Sequence, residues 1–153
     1  MDEAERLSEI AYHSKAYWGY STSFMEACRA ELTINSEYMN AHSTFVLVRA
    51  DEVMGFYALE RCSESRVELG HFFLGPAEIG RGRGRLLFEH ACMQARRGGF
   101  RTLVIVSDPN AEGFYRAVGA RRVGSTPSHS VGDRLLPLLE LGLGQAPDAH
   151  ESA

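Results

Sequence analysis

The chain has 153 residues, room for one compact domain, and with 44% hydrophobic and 24% charged residues it reads as globular rather than disordered. No apolar run approaches the ~20 residues that cross a bilayer, and Met1-Asp2-Glu3 is no signal-peptide start, so a cytoplasmic protein without a membrane partner is expected. The net charge of −4 divides unevenly: residues 1–80 hold 13 acids against 6 bases, and residues 81–125 hold 9 arginines against 3 acids. Six of those arginines flank one glycine-rich turn and its helix, which points to a local anion site and away from a nucleic-acid partner.

Along the chain, Ala4 to Ser14 puts Ala4, Leu7, Ile10 and Ala11 at helical spacing, which predicts a first helix with one buried stripe. The stretch Lys15–Ser21 breaks it, and Thr22–Leu32 reads as a second helix. Phe45–Arg49 and Val53–Leu59 are rich in β-formers and are joined by a turn at Ala50-Asp51-Glu52, so they predict a hairpin. Arg66–Leu74 is a further strand, ended by Gly75-Pro76. Leu87, Phe88, Ala91, Cys92 and Ala95 form the apolar stripe of a helix over Arg83–Arg97, stopped by Gly98-Gly99.

Thr102–Val106 is a continuous apolar run, the mark of a strand covered on both faces. Asp108-Pro109 is an N-cap and first-turn pair that opens a short helix with Ala111, Phe114, Tyr115 and Val118 on one face. Arg121–Val123 and Leu135–Leu141 read as closing strands. The expected fold is a single α/β domain over residues 1–141, a mixed sheet with helices on both faces, followed by a disordered tail at 142–153. Cys28, Cys62 and Cys92 are odd in number and lack CxxC spacing, so each reads as a small core residue. His13, His42, His90, His129 and His150 show no ligand spacing, and no metal is expected.

Two segments carry the chemistry. After the strand ending at Leu74 comes Gly80-Arg-Gly-Arg-Gly-Arg85, with glycines at alternate positions opening a helix. Such glycines let backbone approach a ligand, and the N–H groups at the helix start make an anion cradle. About 25 residues on, across a buried strand, stands Asp108-Pro-Asn-Ala-Glu-Gly-Phe-Tyr115, then Val118-Gly-Ala120. In this order the pair resembles the GNAT superfamily of N-acetyltransferases, with its glycine-rich pyrophosphate loop and its later NxxAxxFY helix. The chain departs from that pattern at Ile79 (usually Gln or Arg), Asp108 (usually Asn) and Ala120 (usually Phe), and it begins at a helix where the family begins with a strand.

The resemblance implies acetyl-coenzyme A as co-substrate and a primary amine of a small molecule as acceptor, a protein amine being the lesser case. It implies pyrophosphate contacts at Gly80, Arg81, Gly82, Arg83, Gly84 and Arg85, backbone pairing to pantetheine at Phe73 and Leu74, and further contacts at Asn110 and Phe114. Tyr115 corresponds to the family's tyrosine acid. Glu68, counted back from Gly82 and Gly84, corresponds to a catalytic glutamate of histone-acetyltransferase members. His71 is a rival, placed opposite Glu68 by strand alternation unless a bulge intervenes. Trp18 and Tyr20 lie in the interhelical loop that commonly lines the family's acceptor pocket. A coenzyme A-binding module without catalysis is the alternative. The missing first strand would leave a sheet edge that a symmetric homodimer is one way to cover.

Overall fold

The computed structural model describes residues 2–144. Helix α1 (Glu3–Ala16) is capped by Asp2, whose carboxylate accepts from the Glu5 amide at 2.8 Å, and it buries Leu7, Ile10 and Ala11. Helix α2 (Thr22–Leu32) is capped by Ser21 and buries Met25, Cys28 and Leu32. A third helix, α3 (Ser36–Ala41), lies outside the expected order; Asn35 caps it by accepting from the Tyr38 amide at 2.8 Å. At six residues with none buried, it has no stripe for a periodicity reading to find.

Strands β1 (Ser43–Arg49) and β2 (Glu52–Arg61) form the expected hairpin, longer at both ends, turning through Ala50 and Asp51 with φ of 51° and 67°. Then follow β3 (Arg66–Leu74), α4 (Arg83–Arg97), β4 (Thr102–Val106), α5 (Glu112–Ala117), β5 (Arg121–Pro127) and β6 (Leu135–Gly142). Short 3₁₀ turns at Pro76–Glu78 and Pro109–Ala111 precede α4 and α5. The six strands make one mixed sheet in the order β1-β2-β3-β4-β6-β5, so β1 is an edge and, among the described residues, no strand precedes α1.

Each face of the sheet has its own core. Leu7, Ile10, Met25, Cys28 and Leu32 close over Phe56 on one side. Leu87, Phe88, Ala91, Cys92 and Ala95 of α4 pack with Tyr57, Leu69, Leu103 and Tyr115 on the other. Two expectations need correction. Cys62 is exposed rather than core, because it stands just past the end of β2. Nor does the tail begin at Gly142: that residue ends β6, and Leu143 is buried, its amide donating to the Arg101 carbonyl at 2.8 Å and its carbonyl accepting from Arg96 Nε at 2.7 Å. The remainder of the expected tail, 145–153, lies outside the described residues.

The functional feature of the sheet is its middle. The parallel pair β3 and β4 is in register only at Arg66–Thr102, Val67–Leu103 and Glu68–Val104. Beyond Glu68 the strands part, and the β4-facing edge of β3 from Leu69 to Leu74 has no ladder partner among the described residues. Unpaired buried backbone groups are costly, so such an edge is a place for a ligand to supply the missing hydrogen bonds.

Candidate active site

A cavity of about 710 Å³ fills the gap between the parted strands. At one end it reaches the start of α4, where Gly80, Gly82, Gly84 and Arg85 form its wall. Gly82 is the N-cap, at φ 81°, and no side chain caps the helix, which leaves the first-turn N–H groups to the cavity. A Cβ on Gly84 would stand 3.1 Å from the Phe114 ring, so this glycine is what lets α4 and α5 meet beneath the opening. Phe73, Leu74, Asn110, Phe114, Tyr115, Trp18, Glu31 and His129 also line it, and Glu68 and His71 mark its far end, where β3 and β4 begin to part.

Tyr115 is buried, with its ring against Phe72, Phe88 and Phe114 at centroid distances of 5.9, 6.0 and 5.3 Å. Its hydroxyl has no hydrogen-bond partner among the described residues. Burial, and then the charge of Asp108, push its pKa well above the usual phenol value, so it stays protonated and keeps a proton to donate. At the far end, β3 carries a bulge: Leu69 pairs with Leu59 and His71 with Ala58, which leaves Gly70 as the extra residue. The bulge resets the alternation and brings Glu68, His71 and Phe73 to the same face of the strand. Burial first, and then the negative charge of Glu60, raise the Glu68 carboxyl above its ordinary range, while His129 opposes them. Burial lowers the pKa of His71, which keeps it neutral near pH 7.

Residues 8–120 match the acetyltransferase (GNAT) family. The chain belongs to that family. Solved structures share the GNAT fold with it along nearly the whole length. An aminoglycoside 6'-N-acetyltransferase complexed with coenzyme A superposes with a TM-score of 0.71 at 16% identity, covering 95% of this chain and 93% of that one. The PaiA N-acetyltransferase of Thermoplasma acidophilum, also in complex with coenzyme A, gives 0.71 at 17%, covering 92% of each. Tetrahymena GCN5 gives 0.67 at 15%, covering 95% and 89%. At these identities the likeness speaks to the fold. No curated protein sequence matches the chain.

Within this GNAT frame, the residues singled out from the sequence fall into two groups. Gly80, Gly82, Gly84, Arg85, Phe73, Leu74, Glu68, His71, Asn110, Phe114, Tyr115 and Trp18 all line the cavity. Arg81, Arg83 and Tyr20 do not. Arg83 is turned to Glu78, with Nε 3.1 Å from its carboxylate, and Arg81 faces solvent. Tyr20 is part of the frame: its hydroxyl donates to Asp108 at 2.8 Å and accepts from Arg134 at 2.6 Å and from the Asn110 amide at 3.0 Å. Asp108 also pairs with Lys15 at 3.0 Å and accepts from the Asn110 backbone at 2.8 Å. Burial alone would raise the Asp108 carboxyl, but Lys15 and these hydrogen bonds outweigh it and hold it below its usual range.

Lys15, Glu31 and His129 line the cavity and were not among the sequence candidates. His129 sits in the loop between β5 and β6, outside both motifs, and only the return of that loop across the cleft brings it near Glu68. Among the described residues, no group of three or more His, Cys, Asp or Glu is arranged to hold a metal ion, and no helix is long and apolar enough to cross a membrane.

Proposed function

We propose that the chain transfers an acetyl group from acetyl-coenzyme A to a primary amine of a small molecule, by direct attack within a ternary complex. The observation that carries this reading is the continuity of the cavity: it runs from the uncapped start of α4, along the unpaired edge of β3 and past Tyr115, to Glu68 and His71. The fit to the coenzyme rests on the same features. The N–H groups opening α4 suit a pyrophosphate, the unpaired β3 backbone suits the amides of a pantetheine arm, and Tyr115 lies where the arm would end. Coenzyme A would supply the acetyl group as an activated thioester.

The chain's own residues do the rest. An alkylamine has a reference pKa near ~10.4, so at pH 7 it arrives as an ammonium ion and must lose a proton before it can attack. Glu68, with its raised proton affinity, takes that proton, directly or through one water. The freed nitrogen lone pair forms the C–N bond as the C–S bond breaks, and the Tyr115 hydroxyl gives its proton to the departing sulfur. The second proton shed by the nitrogen returns to the Tyr115 oxygen, directly or through water. Lys15, Tyr20, Arg134 and Asp108 tie α1, the α1–α2 loop and the β5–β6 loop together beside the cleft.

The test is thiol release from acetyl-coenzyme A across a panel of polyamines, amino acids, aminoglycosides and peptides. Amine-dependent release with at least one small-molecule member is the expected result. Tight coenzyme binding with no release on any member would instead make this a coenzyme A-sensing module.

A further inference from the structure

Two carboxylates face each other across the β2–β3 pair: Glu60 and Glu68 are direct register partners. Residues so placed on one face of an antiparallel pair have Cβ atoms about 4.5–5.5 Å apart, and like charges there are destabilising. Neither glutamate has a lysine or arginine ion-pair partner among the described residues. Yet Glu60 is built in. Its carboxylate fills the volume that a Cβ on Gly70 would occupy, so the bulge residue has to be glycine for the acid to lie there. The Tyr38 hydroxyl of α3 donates to the same carboxylate, and the Tyr38 ring stands edge-on to His71 at 5.1 Å.

We propose that Glu60 is a positioning residue for proton transfer: lodged against Gly70 and held by Tyr38, its carboxylate keeps the opposing Glu68 basic enough to take a proton from the acceptor amine. This rests on Glu68 being the base. Glu60 does not line the cavity, so it acts through Glu68 rather than on substrate. The other titratable groups around the pair are His42 and Tyr38 from α3 and its end, His71 of β3, Glu31 of α2, His129 of the β5–β6 loop, and Cys62 and Arg66 at the outer end of the strands. After burial, Glu60 is the main group raising Glu68, and His129 opposes it. Tyr38 remains a donor throughout, because burial and Glu60 both hold its proton in place.

The sign follows. Removing the Glu60 charge lowers the proton affinity of Glu68, so Glu68 ionises at lower pH. The acid limb of kcat/KM, which falls tenfold per pH unit, should then move to lower pH, while the plateau drops because the base is weaker. The experiment titrates carbon-13-labelled glutamate carboxyls by NMR, assigning Glu68 through Glu68→Gln, and measures kcat/KM against pH for the same proteins. Glu60→Gln, and Glu60→Leu as a second way to remove the charge, should lower both the Glu68 midpoint and the limb. Glu60→Asp, which keeps the charge on a shorter stem, should fall between them and the parent. A Glu68 midpoint unmoved in folded Glu60→Gln and Glu60→Leu overturns the proposal while leaving Glu68 as the base. An acid limb that survives Glu68→Gln overturns the base assignment, and the role of Glu60 with it.

Discussion

At the scale of single residues, Tyr115 separates chemistry from packing most cleanly. Its ring is fixed by Phe72, Phe88 and Phe114, and phenylalanine would keep those contacts while deleting only the hydroxyl. If the hydroxyl protonates the departing sulfur, Tyr115→Phe should lose about 10²–10⁴-fold in turnover with acetyl-coenzyme A affinity largely kept. A merely structural tyrosine would show near-parental turnover. The comparison needs an acceptor for which chemistry limits the rate, since slow product release would mask the loss. The rise in the Tyr115 pKa, caused by burial and Asp108, means no loss of the acid form is expected anywhere in the neutral range. The alkaline limb should therefore belong to another group.

At the scale of elements, β3 (Arg66–Leu74), α4 (Arg83–Arg97) and β4 (Thr102–Val106) are legible to the residue, because Gly75-Pro76 ends β3, Gly82 and Gly98 bound α4, and β4 is one continuous apolar run. The bulge was legible only as an option. A lone glycine in a strand marks a possible bulge, but Gly70 becomes one through Glu60 on the neighbouring strand, a contact no local pattern contains. Strand alternation alone puts His71 opposite Glu68, and the bulge puts both on one face. The Arg83 side chain is set by a contact outside the motif: Glu78, five residues earlier on a 3₁₀ turn, holds it. The glycine loop itself gives a direct test. Gly82 needs its positive φ and Gly84 its lack of a Cβ beside Phe114. Acetyl-coenzyme A should raise the melting temperature of the parent by mass action, and changing both glycines to valine should remove that rise. A folded double variant stabilised as well as the parent would put the cradle elsewhere.

At the scale of the whole molecule, the site is held from three directions by one carboxylate. Asp108, at the end of β4, reaches Lys15 of α1, Tyr20 of the α1–α2 loop and, at 3.6 Å, Arg134 before β6. Lys15 and Arg134 also lie over the stacked rings of Tyr20 and Phe24, at 5.3 and 5.1 Å from the Tyr20 centroid. Because folding depresses the pKa of Asp108, this tie strengthens the fold at neutral pH and is lost as the pH falls through that depressed value. What remains open in the middle is the unpaired edge of β3 and the start of α4, and the proposed coenzyme site consists of those two stretches of backbone. Amide hydrogen exchange with and without acetyl-coenzyme A measures them directly. Protection should rise over Leu69–Leu74 and over the first turn of α4 from Gly82, with little change along the β1 edge. Saturating ligand that leaves both stretches exchanging at their free rates, or protects another surface instead, would contradict a coenzyme seated between β3 and β4.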